Sequence, residues 1–190
     1  KVAGLNLPFE IIAPDHGPIW RKDINTIIEW YAKWADQKPT DKVVIVYDTM
    51  WYSTELMARV IADGAIQGGS PVKVMCMAAN NRSDIATEIL EAGALLVGSP
   101  TINNNMFPSI ADVMMYLKGL KPRGLIGGAF GSFGWSGESV KQLEAILTEM
   151  GVTLVDGSGI NVKYRPEADV LARCYTLGLE TANRLKQYRT

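Results

Sequence analysis

The sequence predicts an α/β fold in which a doubly wound, five-stranded parallel sheet carries helices on both faces. Short apolar segments rich in β-branched residues alternate with amphipathic segments of helical period. These apolar segments lack polar alternation, which is typical of strands buried on both faces. Polar, glycine-containing loops follow several of them, as at the ligand-binding edge of such sheets.

A short strand-helix segment precedes the predicted sheet. We predict a strand at 9–13, then a loop with two prolines, and a helix at about 23–35. Trp30 and Trp34 fall one helical turn apart in this helix, which indicates one packed face. A polar stretch with a proline, residues 36–41, reads as a linker to the rest of the chain.

Strands and helices alternate after this linker, which predicts βα units and a parallel sheet. The predicted strands are 42–47, 72–76, 94–98, 124–130 and 152–155. The predicted helices are about 54–68, 82–92, 109–118, 138–150 and 167–187. The linker divides the chain into predicted domains 1–38 and 39–190.

The composition limits the classes of protein to which this chain can belong. The chain has 190 residues, of which 47% are hydrophobic and 21% charged, as in ordinary globular proteins. The net charge of −1 gives no electrostatic footprint for a nucleic-acid partner. No apolar run approaches the roughly 18 residues that would span a membrane, and no signal-peptide pattern is visible.

The two cysteines, Cys76 and Cys174, do not form a CxxC pair, which disfavours a zinc site or a disulfide framework. We expect both to be reduced thiols of a cytoplasmic protein. The chain begins with Lys1 rather than Met, so we expect a fragment of a longer polypeptide.

The most informative segment is the first strand of the sheet with the loop that follows it. Thr49, Ser53 and Thr54 place three hydroxyl groups where a strand stops and a helix starts. The free N–H groups and the dipole of that helix favour an anion, and a phosphate is the natural one. The alternative is an ordinary turn in which Ser53 or Thr54 caps the helix.

Two further unusual loops follow the third and fourth predicted strands, at 98–106 and 130–137. The first offers a hydroxyl, a rigid proline and amides that can read the edge of a heterocycle. The second offers three glycines with Phe133 and Trp135, which suits close approach to a flat ring. A polar turn and a flexible turn with core aromatics are the alternatives.

The three loops are expected to meet at the switch point of a doubly wound sheet. The first loop would bind a phosphate, the second would hydrogen-bond to the edge of a heterocycle, and the third would offer aromatic surface. These features together fit flavin mononucleotide, FMN. The first turn lacks the GxGxxG fingerprint of a dinucleotide site. Ser99 and Pro100 follow the third strand, where a phosphoacceptor receiver domain would need an aspartate.

Three motifs resemble the flavodoxin domain of flavodiiron proteins (A-type flavoproteins). They are YDTMWYST at 47–54, VGSPTINN at 97–104 and AFGSFGWSG at 129–137. The segment IAPDHGPIWR at 12–21 resembles the last stretch of the family's metallo-β-lactamase-like domain. The resemblance covers essentially the whole chain and implies a flavodoxin-like sheet with strand order 2-1-3-4-5.

The resemblance also implies a set of FMN-binding residues. The phosphate would be held by Thr49, Met50, Trp51, Ser53 and Thr54. One side of the ring would be lined by Pro100, Thr101, Asn103 and Asn104. The other side would be lined by Gly131, Phe133, Gly134, Trp135 and Gly137, with Trp135 in contact with the ring. Tyr52 stands where single-domain flavodoxins usually carry a glycine, a departure that flavodiiron proteins share.

His16 resembles the final histidine ligand of the family's di-iron site. Judged on its surroundings alone, it reads as a loop residue beside glycine and proline. It is the only histidine of the chain, and a di-iron pair needs several protein ligands. The resemblance therefore implies a di-iron centre in the intact protein and none held by this chain by itself.

The implied role is electron relay from FMN to a di-iron site that reduces O2 to water or NO to N2O. Rubredoxin or a similar small protein would supply the electrons, and a head-to-tail homodimer or a homotetramer is implied for the intact protein. No catalytic side chain, nucleic-acid partner or membrane association is expected in this chain. The alternatives are a free-standing FMN-dependent quinone or flavin reductase and a cofactor-free interaction module.

Overall fold

The computed structural model describes residues 8–187, and the chain divides into two compact units between Gln37 and Lys38. In the first unit, α1 spans Ile24–Asp36. The predicted strand at 9–13 is wrong, because only an isolated antiparallel bridge joins Ile12 to Trp20 there. Proline and glycine between these two residues leave few N–H groups in position for a longer ladder.

The aromatic residues of the first unit contact one another. The ring centroids of Trp30 and Trp34 lie 6.0 Å apart, and Trp20 meets Trp30 edge-on at 6.1 Å. Within α1, Ile27 is buried, whereas Trp30 and Tyr31 are exposed. The predicted contact between Trp30 and Trp34 therefore forms, while the face that they share is only partly buried.

The second unit contains the predicted parallel sheet. Its strand order is β2 (Val72–Cys76), β1 (Val43–Tyr47), β3 (Ala94–Gly98), β6 (Ile126–Phe133) and β7 (Thr153–Leu154). Its first strands have the predicted bounds to within a residue. They are β1 Val43–Tyr47, β2 Val72–Cys76 and β3 Ala94–Gly98. All strand pairs of this sheet are parallel, which confirms the predicted fold class and the 2-1-3-4-5 order.

The fourth and fifth positions differ in detail from the prediction. Strand β6 spans Ile126–Phe133 and so runs three residues past the predicted end. The fifth position holds two short strands, β7 Thr153–Leu154 and β8 Ile160–Lys163, and both pair with β6. The later half of β6 remains a strand because β8 supplies hydrogen-bond partners there.

A small hairpin stands beside the sheet. It pairs β4 Thr101–Ile102 with β5 Asn105–Met106 in antiparallel register. Asn103 and Asn104 between them have φ values of 49° and 59°, the left-handed pair that a two-residue hairpin turn requires.

Helices cover both faces of the sheet. They are α2 Ser53–Gln67, α3 Arg82–Ile89, α4 Pro108–Leu120, α5 Glu138–Glu149 and α6 Ala168–Gln187. Alternate residues of β1 feed two separate cores: Val44 packs towards α3, α4 and α5, and Ile45 packs towards α2 and α6. Within residues 8–187, no helix is long and apolar enough to cross a membrane.

Candidate functional site

A pocket of about 1000 Å³ lies beyond the carboxyl ends of β1, β3, β6 and β8. All three loops that the sequence singled out contribute to it, together with a fourth segment after β8. The lining consists of Met50, Trp51, Tyr52, Ser53, Glu55, Leu56, Arg59, Pro100, Thr101, Ile102, Asn103, Ser132, Phe133, Gly134, Trp135, Tyr164 and Arg165.

Asp48, which directly follows β1, holds the first loop in place through hydrogen bonds. This buried carboxylate accepts hydrogen bonds from the Thr49 N–H at 2.7 Å and from the Ser109 hydroxyl of α4. The Thr49 Oγ1 atom is buried and has no hydrogen-bond partner among the described residues. A buried hydroxyl without a partner is costly unless a ligand or water completes it.

Helix α2 begins at Ser53, and the interpretation of Ser53 or Thr54 as its cap is wrong. The cap position is Tyr52, which has a left-handed φ of 63° and makes no side-chain cap bond. The N–H groups of the first turn therefore lack a side-chain cap and face the pocket end of the helix. Thr54 is fully buried, and its Oγ1 lies 3.2 Å from the Ser132 Oγ of β6.

A hydrogen-bonded network joins the second loop to α5. The Ser99 hydroxyl accepts from the Phe107 N–H at 2.8 Å, while the Ser139 hydroxyl donates to the Ser99 carbonyl at 3.2 Å. The Thr101 hydroxyl donates to Ser139 Oγ at 2.8 Å. This network fixes Thr101 at the base of the hairpin, where it lines the pocket.

Gln142 of α5 ties the tip of the hairpin to the same helix. Its Nε2 donates to the Asn104 carbonyl at 3.2 Å and to Asn105 Oδ1 at 3.1 Å. Its Oε1 accepts from the Met106 N–H at 2.9 Å. The Ser136 hydroxyl donates to Asn104 Oδ1 at 3.0 Å, which links the second and third loops directly.

The third loop is shorter than predicted, because Gly131 and Phe133 belong to β6. A Cβ on Gly131 would approach the Ser99 carbonyl oxygen to 2.1 Å, so this glycine is required by the protein's own packing. A Cβ on Gly137 would meet Asn161 Nδ2 at 2.5 Å, but this atom ends a side chain, so the contact differs from the backbone contact at Gly131. Gly134 faces the pocket with no such contact.

Two tryptophans stand out at the rim of the pocket. Trp135 is 95% exposed and Trp51 is 81% exposed. Large aromatic surfaces left in water beside a pocket make that pocket a candidate binding site, because folding alone gains nothing from them. Either ring can stack on a flat ligand.

The structure brings most, but not all, of the predicted site residues to the pocket lining. Five lie nearby without lining it: Thr49, Thr54, Asn104, Gly131 and Gly137. Sequence reasoning missed eight that do line it: Tyr52, Glu55, Leu56, Arg59, Ile102, Ser132, Tyr164 and Arg165. Glu55 directly follows the first loop, and Arg59 lies four residues later on the same face of α2, so helical spacing links Arg59 to Glu55.

Charge at the pocket comes from few groups. Arg59 pairs with Glu55 one turn earlier on α2, with an N–O distance of 2.6 Å. Burial, followed by the neighbouring Cys76 and Glu55, raises the pKa of Tyr47 at the end of β1 to about 12. The phenol therefore stays neutral beneath the first loop at ordinary pH.

His16 lies in the first unit and is exposed. Within residues 8–187, no group of three or more His, Cys, Asp or Glu side chains could hold a metal ion. The assignment of His16 as an iron ligand stays a prediction.

Known proteins resemble this chain over nearly its whole length. A nitric oxide reductase of Moorella thermoacetica is 44% identical over 185 residues, which cover 97% of this chain and 46% of that protein. The rubredoxin oxygen:oxidoreductase of Desulfovibrio gigas superposes with a TM-score of 0.92 at 44% identity, covering 100% of this chain and 47% of that one.

A flavodiiron protein from Giardia intestinalis superposes with a TM-score of 0.90 at 30% identity, covering 98% of this chain and 47% of the other. This chain therefore spans about half the length of the relatives that it matches. The family model described as flavodoxin matches residues 45–178, which run from β1 into α6. The chain belongs to the flavodoxin family, with flavodiiron proteins among its relatives.

Proposed function

We propose that this chain is the FMN-binding electron-transfer domain of a flavodiiron O2 or NO reductase. Flavodoxin domains bind FMN, and the relatives that match this chain are named as nitric oxide and oxygen reductases. The observation that carries the proposal is the pocket itself, which lies at the carboxyl edge of a doubly wound sheet and is walled by three loops.

The described residues fit FMN. The unpartnered Thr49 hydroxyl and the uncapped first turn of α2 offer donors to a phosphate. The exposed rings of Trp51 and Trp135 offer apolar surface to a flat heterocycle. A volume of about 1000 Å³ is at the upper end for small-molecule sites and admits a mononucleotide.

We propose that the first loop holds the phosphate end, through Thr49, Met50, Trp51, Ser53 and Thr54. The ring would lie between the second and third loops. Pro100, Thr101, Asn103 and Asn104 would line one side of it, and Gly131, Phe133, Gly134, Trp135 and Gly137 the other. Thr54, Asn104, Gly131 and Gly137 would act through the loops that carry them, because none of these four residues lines the pocket.

FMN supplies reversible uptake and release of electrons when it is bound. The protein's part is to bind and orient it. Among the described residues, the lining holds no histidine or cysteine, and its one carboxylate, Glu55, is paired with Arg59. A pocket without a free acid or base suits a cofactor carrier rather than a site of proton transfer.

The finer parts of the proposal concern the intact protein. Electrons would pass from FMN to a di-iron site in the part of the protein that this chain does not span, with His16 as one iron ligand. A rubredoxin-type protein is the proposed donor, as the name of the Desulfovibrio gigas relative suggests. We also propose a homodimer or homotetramer and a cytoplasmic location, the latter supported by two free thiols.

Titration of the purified chain with FMN tests this function. We expect binding near one equivalent, with quenched flavin fluorescence as an aromatic ring stacks on the flavin, and reversible reduction by light with a sacrificial donor. A protein that leaves the fluorescence of free FMN unchanged would contradict the proposal. Rapid bleaching of the bound flavin by NADH alone would point instead to a free-standing reductase.

A further inference from the structure

The phosphate end of the proposed FMN site lacks an obvious counter-charge. A phosphate monoester carries between −1.5 and −2 charge at pH 7 by the usual approximation. The first loop, residues 48–54, contains no lysine or arginine. Glu55 lies in the first turn of α2, where its carboxylate would repel the ligand if it were not already paired.

Among the described residues that line the pocket, only Glu55, Arg59 and Arg165 are charged. The first two form an ion pair at 2.6 Å and largely cancel. No ion pair involves Arg165 within residues 8–187. The net charge of the lining is therefore one positive charge, and Arg165 carries it.

A chain of contacts places Arg165 on the α2 side of the pocket. The N–H of the preceding Tyr164 donates to the Phe133 carbonyl at 2.7 Å. Phe133 follows Ser132, whose hydroxyl lies 3.2 Å from Thr54 in the first turn of α2. Helix α6 begins three residues after Arg165 and packs against α2.

The backbone beneath Arg165 is held in place. Tyr164 has a left-handed φ of 63°, an uncommon conformation for a residue with a large side chain. Its ring lies 3.6 Å from the position of a Cβ on Gly134, and the following Pro166 is buried. A residue before proline is restricted to extended conformations, so the direction of the Arg165 stem is constrained from both sides.

We propose that Arg165 is the counter-charge for the phosphate of the bound flavin and that it determines preference for FMN over flavins without a phosphate. This inference rests on the proposed function. The guanidinium is always charged and presents donors in a fork that matches phosphate oxygens. It supplies from the end of β8 the cation that the first loop lacks.

The test compares FMN with riboflavin, which has the same ring and no phosphate, on wild-type protein and on Arg165→Gln. We expect the variant to bind FMN about tenfold more weakly, the low end for a charge-assisted hydrogen bond. Its affinity for riboflavin should be unchanged. Arg165→Lys, which keeps the charge, should recover part of the FMN affinity.

Arg173→Gln is the matched control, since Arg173 is an exposed arginine of α6 that does not line the pocket. It should leave both affinities unchanged. An equal loss for FMN and riboflavin in Arg165→Gln, or no loss for either, would overturn the inference while the proposed function stands. Failure of the wild-type protein to bind FMN would overturn both.

Discussion

Trp135 is the residue whose exposure is hardest to explain by folding. Its side chain is 95% exposed at the rim of the pocket, so its removal costs the folded state almost nothing. Trp135→Ala should lower FMN affinity by up to about tenfold, as expected for loss of an aromatic contact worth about 0.5–1.5 kcal/mol. The free energy of unfolding should stay within about 0.5 kcal/mol of wild type. Flavin titration and urea unfolding measure the two quantities.

Trp30→Ala is the control for this substitution, because Trp30 is an exposed tryptophan of the first unit that does not line the pocket. Its FMN affinity should match that of the wild type. Equal flavin affinity in Trp135→Ala and wild type would show that Trp135 makes no contact with the ring.

Among individual residues, the sequence identified the pocket residues that follow strongly apolar strands. Trp51 and Pro100 were found because β1 and β3 are unmistakable runs whose ends can be located to a residue. Tyr164 and Arg165 were missed because the strand before them, β8, reads INVK and is half polar. Its strand conformation depends on pairing with β6, which no local pattern encodes.

Helices α2 and α6 pack closely against each other, and glycines make this close packing possible. A Cβ on Gly64 of α2 would come within 2.1 Å of the Tyr175 carbonyl oxygen. A Cβ on Gly178 of α6 would come within 2.0 Å of the Ile61 carbonyl oxygen. Each glycine therefore allows backbone to meet backbone, and neither contact can be relieved by turning a side chain.

Gly64→Ala should destabilise the protein by about 1–3 kcal/mol, because the two helices must separate to admit the methyl group. Since α2 carries the first turn that faces the pocket, FMN affinity should fall as well. Urea unfolding without added flavin measures the first effect, and flavin titration the second.

Gly119→Ala is a matched control in α4, where an added Cβ meets nothing within 4 Å. There the substitution should stabilise the protein by about 0.5–1 kcal/mol through helix propensity alone. If Gly64→Ala behaved like Gly119→Ala, the tight contact between α2 and α6 would be absent in solution.

The sequence patterns located element boundaries poorly at residues 131–133, where glycine led to the prediction of a loop. Residues 131–133 read as a loop because Gly, Ser and an aromatic next to further glycines are typical of turns. In the fold they extend β6, since β8 pairs with them and Gly131 must lie against the Ser99 carbonyl. The split of the fifth strand depends on the same tertiary pairing.

The molecule as a whole buries two cores, one on each face of the sheet, and Cys174 lies within the second. Burial raises the pKa of its thiol from 9.0 to about 12, and Arg173 offsets this only in part. Between these values the unfolded chain binds fewer protons than the folded one, so stability falls as pH rises. We expect a loss of about 1 kcal/mol from this thiol between about pH 8 and 10.

Cys174→Ala removes the titrating group and should lose less stability over that pH interval than the wild type does. Urea unfolding at both pH values measures the difference. Each protein is compared with itself, so the constant cost of the small cavity in Cys174→Ala cancels between the two pH values. Identical pH dependence in the two proteins would mean that the thiol is not shielded in the folded state.

Fold class was predictable at this scale because five apolar strands leave few arrangements that bury them on both faces. The strand order followed from the family resemblance rather than from the residues. The two-unit division falls where the polar stretch with Pro39 stands, between Gln37 and Lys38. The predicted strand at 9–13 is wrong because this short segment has only the single bridge to Trp20 among residues 8–187, and so gains little from an extended conformation.

Gln142 and Ser139 of α5 have a thermodynamic consequence for ligand binding. A free loop gives up conformational entropy when it closes on a ligand, at about 1–2 kcal/mol for each backbone residue fixed. Here the hairpin is already fastened to α5 at Asn104, Asn105 and Met106. Because the hairpin is already ordered in the folded protein, ligand binding does not require its ordering. We therefore expect its contacts with the ligand to lower the rate of ligand dissociation.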